Sequence, residues 1–199
     1  MYLAHLMNIA IVKYNAGNVR SVTYALQRLG IEPCISDDAE VLHAADKVIF
    51  PGVGEASTAM AYLKQRGLDK LIPALQQPVL GVCLGLQLMC RHSEENNTPC
   101  LGIFDVDVKR FPPKDKVPHM GWNRVEKMQG PLFEGLSQEA YLYYVHSYYA
   151  EESRYTIAST EYILPYSASL HKDNFYALQA HPEKSGKDGE KILENFLKL

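Results

Sequence analysis

Val79-Leu80-Gly81-Val82-Cys83-Leu84-Gly85-Leu86-Gln87 is the stretch on which the fold turns. An apolar strand runs through Gly-x-Cys-x-Gly straight into a helix, which is the cysteine form of a nucleophile elbow. So tight a turn forces Cys83 into a strained backbone conformation, and glycines at 81 and 85 remove the side chains that would clash there. The turn lifts the sulfur clear of the sheet edge. It also sets the sulfur at a helix N-terminus, where unpaired N–H groups and the helix dipole favour the thiolate, the attacking species. An ordinary reduced cysteine is a small buried hydrophobe, and that reading is kept for Cys34, Cys90 and Cys100. Cys90, two turns further along the predicted helix Leu84–Arg91, is expected to pack inward.

Upstream of the elbow, short apolar runs alternate with amphipathic stretches. Ile9–Tyr14, Ile31–Ile35, Lys47–Phe50 and Pro78–Val82 read as strands. Val19–Leu29, Ser57–Arg66 and Leu68–Leu75 read as helices, the first stopped by Gly30. Strands alternating with helices imply parallel βαβ units. Downstream the pattern changes. Ile103–Arg110, Asn123–Lys127, Leu142–His146, Thr156–Tyr162, Ser167–His171 and Phe175–Ala180 read as strands, Lys172-Asp173-Asn174 as a tight hairpin connection, and Gly189–Leu197 as a closing helix. The expected fold class is α/β, a three-layer sandwich with a mainly parallel central sheet plus antiparallel strands. The 199 residues are read as a single domain, with residues 1–6 a short extension that lacks the basic and apolar parts of a targeting segment.

A cysteine nucleophile needs a proton carrier for the leaving group and for the water that follows. Of the seven histidines, His181 stands out, because it ends a strand and is followed by Pro182-Glu183. Pro182 cannot donate to a sheet ladder, so the strand stops there. In an extended segment residues two apart share a side, so Glu183 is expected to accept from the His181 ring and fix its tautomer. A His-Pro-Glu surface turn alone is weak evidence, but in the order Cys…His-x-Glu behind an elbow it is strong. His146 is the runner-up, read as structural or near the substrate.

Composition closes off other classes. The net charge of −3 leaves no basic footprint for nucleic acid. No run of about 18 apolar residues suggests a membrane span. The four cysteines form no Cys-x-x-Cys pair, so no metal site is expected. Thiols kept reduced fit a cytoplasmic protein.

Taken in order, Pro51-Gly52-Val53-Gly54, Gly81-Val82-Cys83-Leu84-Gly85-Leu86-Gln87 and His181-Pro182-Glu183 closely resemble the class I (triad-type) glutamine amidotransferases. Four further motifs resemble one branch of them, the glutaminase subunits of imidazole glycerol phosphate synthases. They are Tyr14-Asn15-Ala16-Gly17-Asn18, Pro118-His119-Met120-Gly121-Trp122-Asn123, Tyr144-Val145-His146-Ser147-Tyr148-Tyr149 and His181-Pro182-Glu183-Lys184-Ser185. The resemblance covers the chain from Met7 onward. It implies that Cys83 attacks the glutamine side-chain amide, that His181 moves protons and that Glu183 orients it. It also implies an oxyanion hole from the Leu84 N–H and one N–H of the Gly52-Val53 segment, and a glutamine pocket drawing on Gln87, His146, Ser147 and Tyr148. No cofactor is implied. A cyclase partner with a (β/α)8 barrel is, forming a heterodimer, because ammonia is a nucleophile only while unprotonated and water would dilute it. Asn15, Asn18, Trp122 and Lys184 are candidates for that interface. The products would be imidazole glycerol phosphate and an aminoimidazole carboxamide ribotide, in histidine biosynthesis. Two other readings stay open: a stand-alone glutaminase or γ-glutamyl hydrolase, and a binding subunit that has lost the reaction.

Overall fold

Side-chain alternation along the strands sorts the core into two faces. Ile9 and Ile11 point to one side of the sheet, Ala10 and Val12 to the other; Ile49 opposes Val48 and Phe50 in the same way, and all are buried. Both faces must therefore be covered, which is the condition for a parallel sheet. The computed structural model describes residues 7–15 and 18–199; the expected extension at 1–6, and Ala16 and Gly17, lie outside the described residues.

The central sheet has seven strands. In spatial order they are β11 (Thr156–Tyr162), β12 (Leu164–Lys172), β13 (Phe175–Leu178), β4 (Val79–Cys83), β3 (Lys47–Gly52), β1 (Ile9–Val12) and β2 (Cys34–Ser36). The run from β13 to β2 is parallel; β12 and β11 add on antiparallel. Helices α1 (Val19–Arg28) and α6 (Gly186–Lys198) cover the face that carries Ile9, Ile11 and Ile49. The opposite face is covered by α2 (Ala39–Ala44), α3 (Ala56–Gln65), α4 (Leu68–Ala74) and α5 (Leu84–Met89). Two smaller sheets cap the carboxyl end. One orders β10 (Tyr148–Ala150), β7 (Asp107–Arg110), β5 (His92–Ser93) and β6 (Thr98–Pro99); the other pairs β8 (His119–Arg124) with β9 (Tyr141–His146). This is the expected α/β sandwich with a parallel centre and antiparallel additions. No helix among the described residues is long and apolar enough to cross a membrane.

Several boundaries differ from the sequence reading, each for a local reason. Helix α5 stops at Met89 rather than Arg91, because the Leu88, Met89 and Cys90 carbonyls accept from Leu101, Phe104 and Gly102 of the returning chain. Cys90 is buried as expected, but as the cap beyond the helix. Strand pairing after Ile103 begins only at Asp107. The strand expected at Asn123–Lys127 lies earlier, at His119–Arg124, with Lys127 at φ +53° already past it. Helix α2 was not foreseen; Asp38 caps it, accepting from the Glu40 and Val41 N–H groups at 2.8 and 3.3 Å. The hairpin at Lys172–Asn174 is present, with Asp173 at φ +53°.

Candidate active site

Strands β3, β4 and β13 end side by side. Gly52 pairs with Cys83 and Leu178 with Val82, so the three segments leaving these strands meet at the carboxyl edge of the sheet. That crevice is where open α/β sheets place ligands. Cys83 adopts φ +52°, ψ −107°, a conformation costly for a residue with a side chain, and α5 begins at the next residue. The glycines are required by space: a Cβ at Gly81 would come within 2.8 Å of the Met89 sulfur, and one at Gly52 within 2.6 Å of the Leu84 Cβ. The elbow expected from the sequence is therefore present in backbone geometry.

His181 follows β13, and its ring lies beside the sulfur. Its Nδ1 faces the Glu183 Oε1 at 2.9 Å, with both side chains about 1 % exposed. Because a carboxylate only accepts, Nδ1 carries the proton and Nε2 is turned toward Cys83. Nε2 is buried and, among the described residues, has no oxygen or nitrogen partner, so the Cys83 sulfur is the group it faces. An unpartnered ring nitrogen next to a nucleophile is what proton exchange requires. The sequence argument for Glu183 needs one correction. Pro182–Lys184 forms a 3-10 turn rather than an extended run, and the turn brings the carboxylate back onto the ring. Ser185 holds this turn: its hydroxyl donates to the His181 carbonyl at 2.6 Å and accepts from the Tyr143 N–H at 2.9 Å.

Burial works against a charged His181 ring, but the Cys83 sulfur and the Glu183 carboxylate outweigh it and push the imidazole up to about 10. A folded-state value above the ordinary 6.5 means stability that is fully present below pH 6.5 and lost as pH rises toward about 10. Imidazole NMR is thus expected to find His181 protonated at pH 8, where an ordinary histidine is neutral. Cys83→Ala should lower the midpoint by removing the sulfur that favours the protonated ring. Titration of both chains near 6.5 would contradict the arrangement.

His146 behaves oppositely. Its Nδ1 donates to the Tyr148 carbonyl at 2.7 Å, and its Nε2 meets Tyr166 Oη at 3.2 Å and His119 Nδ1 at 3.3 Å. Burial chiefly drives it down to about 3, and His119 down to about 4. Burial favours the neutral form of both rings, and both nitrogens of His146 are engaged inside the protein, so His146 stands as a fixed wall of the pocket.

A cavity of ≈ 330 Å³ opens above the sulfur. Cys83 and Leu84 border it on one side, Val53 and Gly54 on another, and Gln87, Val145, His146, Ser147 and Tyr148 close it. Leu84, Val53 and all four expected pocket residues therefore gather around Cys83; Gly52 sits just behind, paired to it. Gln87 departs from expectation in one respect. Its amide nitrogen is committed inside the protein, to the Tyr148 carbonyl at 3.0 Å and to Gln179 Oε1 at 3.1 Å. Three site residues were missed by the sequence reading. Glu95 borders the cavity and accepts from the Ala56 N–H at 2.7 Å. Tyr14 donates to the Pro51 carbonyl at 2.6 Å. Gln179 donates to the Cys83 sulfur at 3.7 Å. Nothing local marks Glu95, whereas Tyr14 heads one of the motifs already quoted and Gln179 stands two residues before the histidine already singled out.

The interface candidates separate into two kinds. Asn15 donates to the Thr58 carbonyl at 3.2 Å, and Asn18 caps α1 by accepting from Ser21, so both side chains have structural duties. Trp122 is 55 % exposed and edge-on to Tyr143, and Lys184 Nζ lies 6.0 Å from the centre of that same ring. Met120, 60 % exposed, and Tyr141 continue the apolar surface, and Met120 pairs with Val145 of the cavity wall.

The model of the family "Glutamine amidotransferase class-I" matches residues 10–199. The imidazole glycerol phosphate synthase subunit HisH of Bacteroides thetaiotaomicron is 63 % identical over 196 residues, which covers 97 % of this chain and all of the relative. The HisH subunit of Escherichia coli K12 is 47 % identical with the same coverage. Among solved structures, a glutamine amidotransferase superposes with a TM-score of 0.75 at 21 % identity, over 95 % of this chain and 97 % of that one. A glutamine amidotransferase from Thermotoga maritima superposes with a TM-score of 0.62 at 17 % identity, over 98 % and 84 %. The structural likenesses speak for the fold.

Proposed function

Because this chain belongs to the class-I glutamine amidotransferases, we propose that it hydrolyses glutamine to glutamate and ammonia, and passes the ammonia to a cyclase that makes imidazole glycerol phosphate and aminoimidazole carboxamide ribotide. The reading rests on one observation above all: a strained elbow sulfur beside a buried imidazole that a carboxylate braces on its far side. Relatives 47 to 63 % identical along their whole length support the assignment to histidine biosynthesis. The whole chain acts as one amidotransferase domain, in the cytoplasm and without a cofactor.

In this mechanism the Cys83 thiolate adds to the side-chain amide carbon of glutamine. Negative charge moves onto the amide oxygen, and the N–H groups of Leu84 and Val53 receive it. His181, already protonated, gives its proton to the departing nitrogen, and ammonia leaves a γ-glutamyl thioester on the sulfur. His181 then takes a proton from water as that water attacks the thioester, releasing glutamate and restoring the thiolate. Glu183 holds the ring in one tautomer throughout and steadies its positive charge. His146, Ser147 and Tyr148 shape the pocket, with Gln87 as its floor. Glu95 supplies a carboxylate toward the substrate's α-ammonium.

Ammonia remains a nucleophile only while unprotonated and shielded from water, which favours delivery inside a complex. The exposed row of Met120, Trp122 and Tyr141, with Tyr143 and Lys184 beside it, meets the cavity wall through the Met120–Val145 pair. We place the barrel cyclase there, with Asn15 and Asn18 fixing the neighbouring loop. Glutamine hydrolysis is expected to rise at least about tenfold when a barrel cyclase and its ligand are added. Equal rates with and without the cyclase would instead identify a stand-alone glutaminase or γ-glutamyl hydrolase.

A further inference from the structure

Proton bookkeeping around two buried glutamines fixes a contact to the nucleophile. The Gln87 amide nitrogen lies 3.0 Å from the Tyr148 carbonyl, and a backbone carbonyl can only accept. The atom facing it must be nitrogen. That same nitrogen reaches the Gln179 amide at 3.1 Å, so the Gln179 atom meeting it must be the oxygen. Gln179 is fully buried and its amide has no freedom to turn over, so its NH2 group faces the Cys83 sulfur, at 3.7 Å. On another side of the sulfur, beside the His181 ring, lies the Val145 carbonyl at 4.0 Å. The Gln179 amide and the Val145 carbonyl respond oppositely to the sulfur's two states. A thiol can donate to Val145, whereas a thiolate can only accept and is held by Gln179.

We propose that Gln179 is a donor dedicated to the Cys83 thiolate, held in register by the Gln87 and Tyr148 relay, and that it selects and aims the ionised sulfur for attack. The proposal rests on the amidotransferase reading and deepens it at the same site. Besides Gln179, the titratable groups that act electrostatically on the sulfur are His181 from the turn after β13, Tyr14 from the segment after β1 and Tyr166 from β12, the two tyrosine hydroxyls being bonded to the Pro51 carbonyl and to the His119–His146 pair. All three stay in place when only residue 179 is changed. A hydrogen bond to a charged acceptor is stronger than the same bond to a neutral one, so a donor at 3.7 Å favours the thiolate over the thiol.

The test replaces Gln179 by methionine, of similar length and without a donor, in the complete two-subunit enzyme. The rate of Cys83 alkylation by iodoacetamide is followed against pH, with the labelled residue identified by mass spectrometry. The expected result is a midpoint about one pH unit higher than in the unsubstituted enzyme, with kcat for glutamine lowered about tenfold and KM within about twofold. Gln179→Glu keeps the shape and the acceptor toward Gln87 but aims a carboxylate oxygen at the sulfur, and is expected to raise the midpoint further. Should the methionine variant not fold, the glutamate variant carries the test alone. A melting temperature that falls while the alkylation profile stays superimposable would show a purely structural residue and overturn the proposal. Absence of Cys83 labelling in every chain, including the unsubstituted one, would instead overturn the amidotransferase reading, and the proposal with it.

Discussion

Replacing Cys83 by alanine is expected to lower glutamine hydrolysis on the order of 10⁴-fold, while synthesis from added ammonium by the assembled enzyme pair continues. No other group can take over. Of the remaining cysteines, Cys90 is fully buried and lies past the far end of α5, and burial pushes its thiol well above the ordinary 9.0. Cys100 is pushed up to about 12, also by burial, and Cys34 is exposed on β2, the outermost strand, separated from β4 by β3 and β1. His181, Glu183 and the N–H donors would remain, but they serve a covalent step that could no longer begin, so their separate contributions would vanish together. Survival of more than about a hundredth of the glutaminase rate would remove Cys83 from the mechanism. Loss of the ammonium-dependent reaction as well would show that the substitution had damaged the assembly rather than the chemistry.

Gly85→Ala is expected to give the largest loss of stability among single-methyl additions near the site. A Cβ there would be driven into the Phe50 carbonyl, a backbone atom in the middle of the sheet that cannot swing aside. Either α5 lifts away from β3 or the strand bends, and both break contacts in a core whose members at this point are fully buried. The cost is about 3 kcal/mol or more, at the upper end for overpacking, and corresponds to a melting temperature lowered by roughly 6 to 12 °C in a chain of this size. Because α5 carries the Leu84 N–H and begins at the nucleophile, hydrolysis should fall along with stability. Gly102→Ala is the matched control: the space there is open, and only the cost of its positive φ of +71° applies. Equal thermal stability of the Gly85 and Gly102 variants would mean that the close packing of α5 on β3 is not what holds the elbow.

The elbow was legible because everything it needs is local. An apolar strand, two glycines and a helix-forming run within nine residues determine the turn, and the positive φ of Cys83 follows from it. The His-Pro-Glu motif was legible in outcome but not in route. Period-two reasoning placed Glu183 beside His181, whereas the actual means is a 3-10 turn that proline begins and Ser185 holds in place. Element ends were hardest to read where a distant segment sets them. Helix α5 ends early because the N–H groups of Leu101, Gly102 and Phe104 return to donate to the carbonyls of residues 88 to 90, and β8 lies earlier than expected because β9 pairs with it from His119 onward.

Glu95 carried no sequence signal, and Tyr14 carried only its place at the head of a family motif, with no role assigned. Each reaches the site from a different loop, and nothing in its neighbours announces a polar contact some forty residues away. Asn15 and Asn18 show the reverse. Their positions suggested a docking surface, yet their side chains are first of all engaged in holding Thr58 and the start of α1.

The sequence by itself determined the class of fold and the family and singled out the candidate nucleophile and proton carrier, since each is written in short-range patterns of glycine, apolar residues and turn formers. Only the tertiary structure decided that His146 is a neutral wall rather than a base, that the Gln87 nitrogen is turned inward, and that Gln179, 96 residues from Cys83 along the chain, donates to its sulfur. Burial and hydrogen-bond direction fix those roles. Both are properties of which segments the fold brings together, and a reading of neighbours along the chain does not contain them.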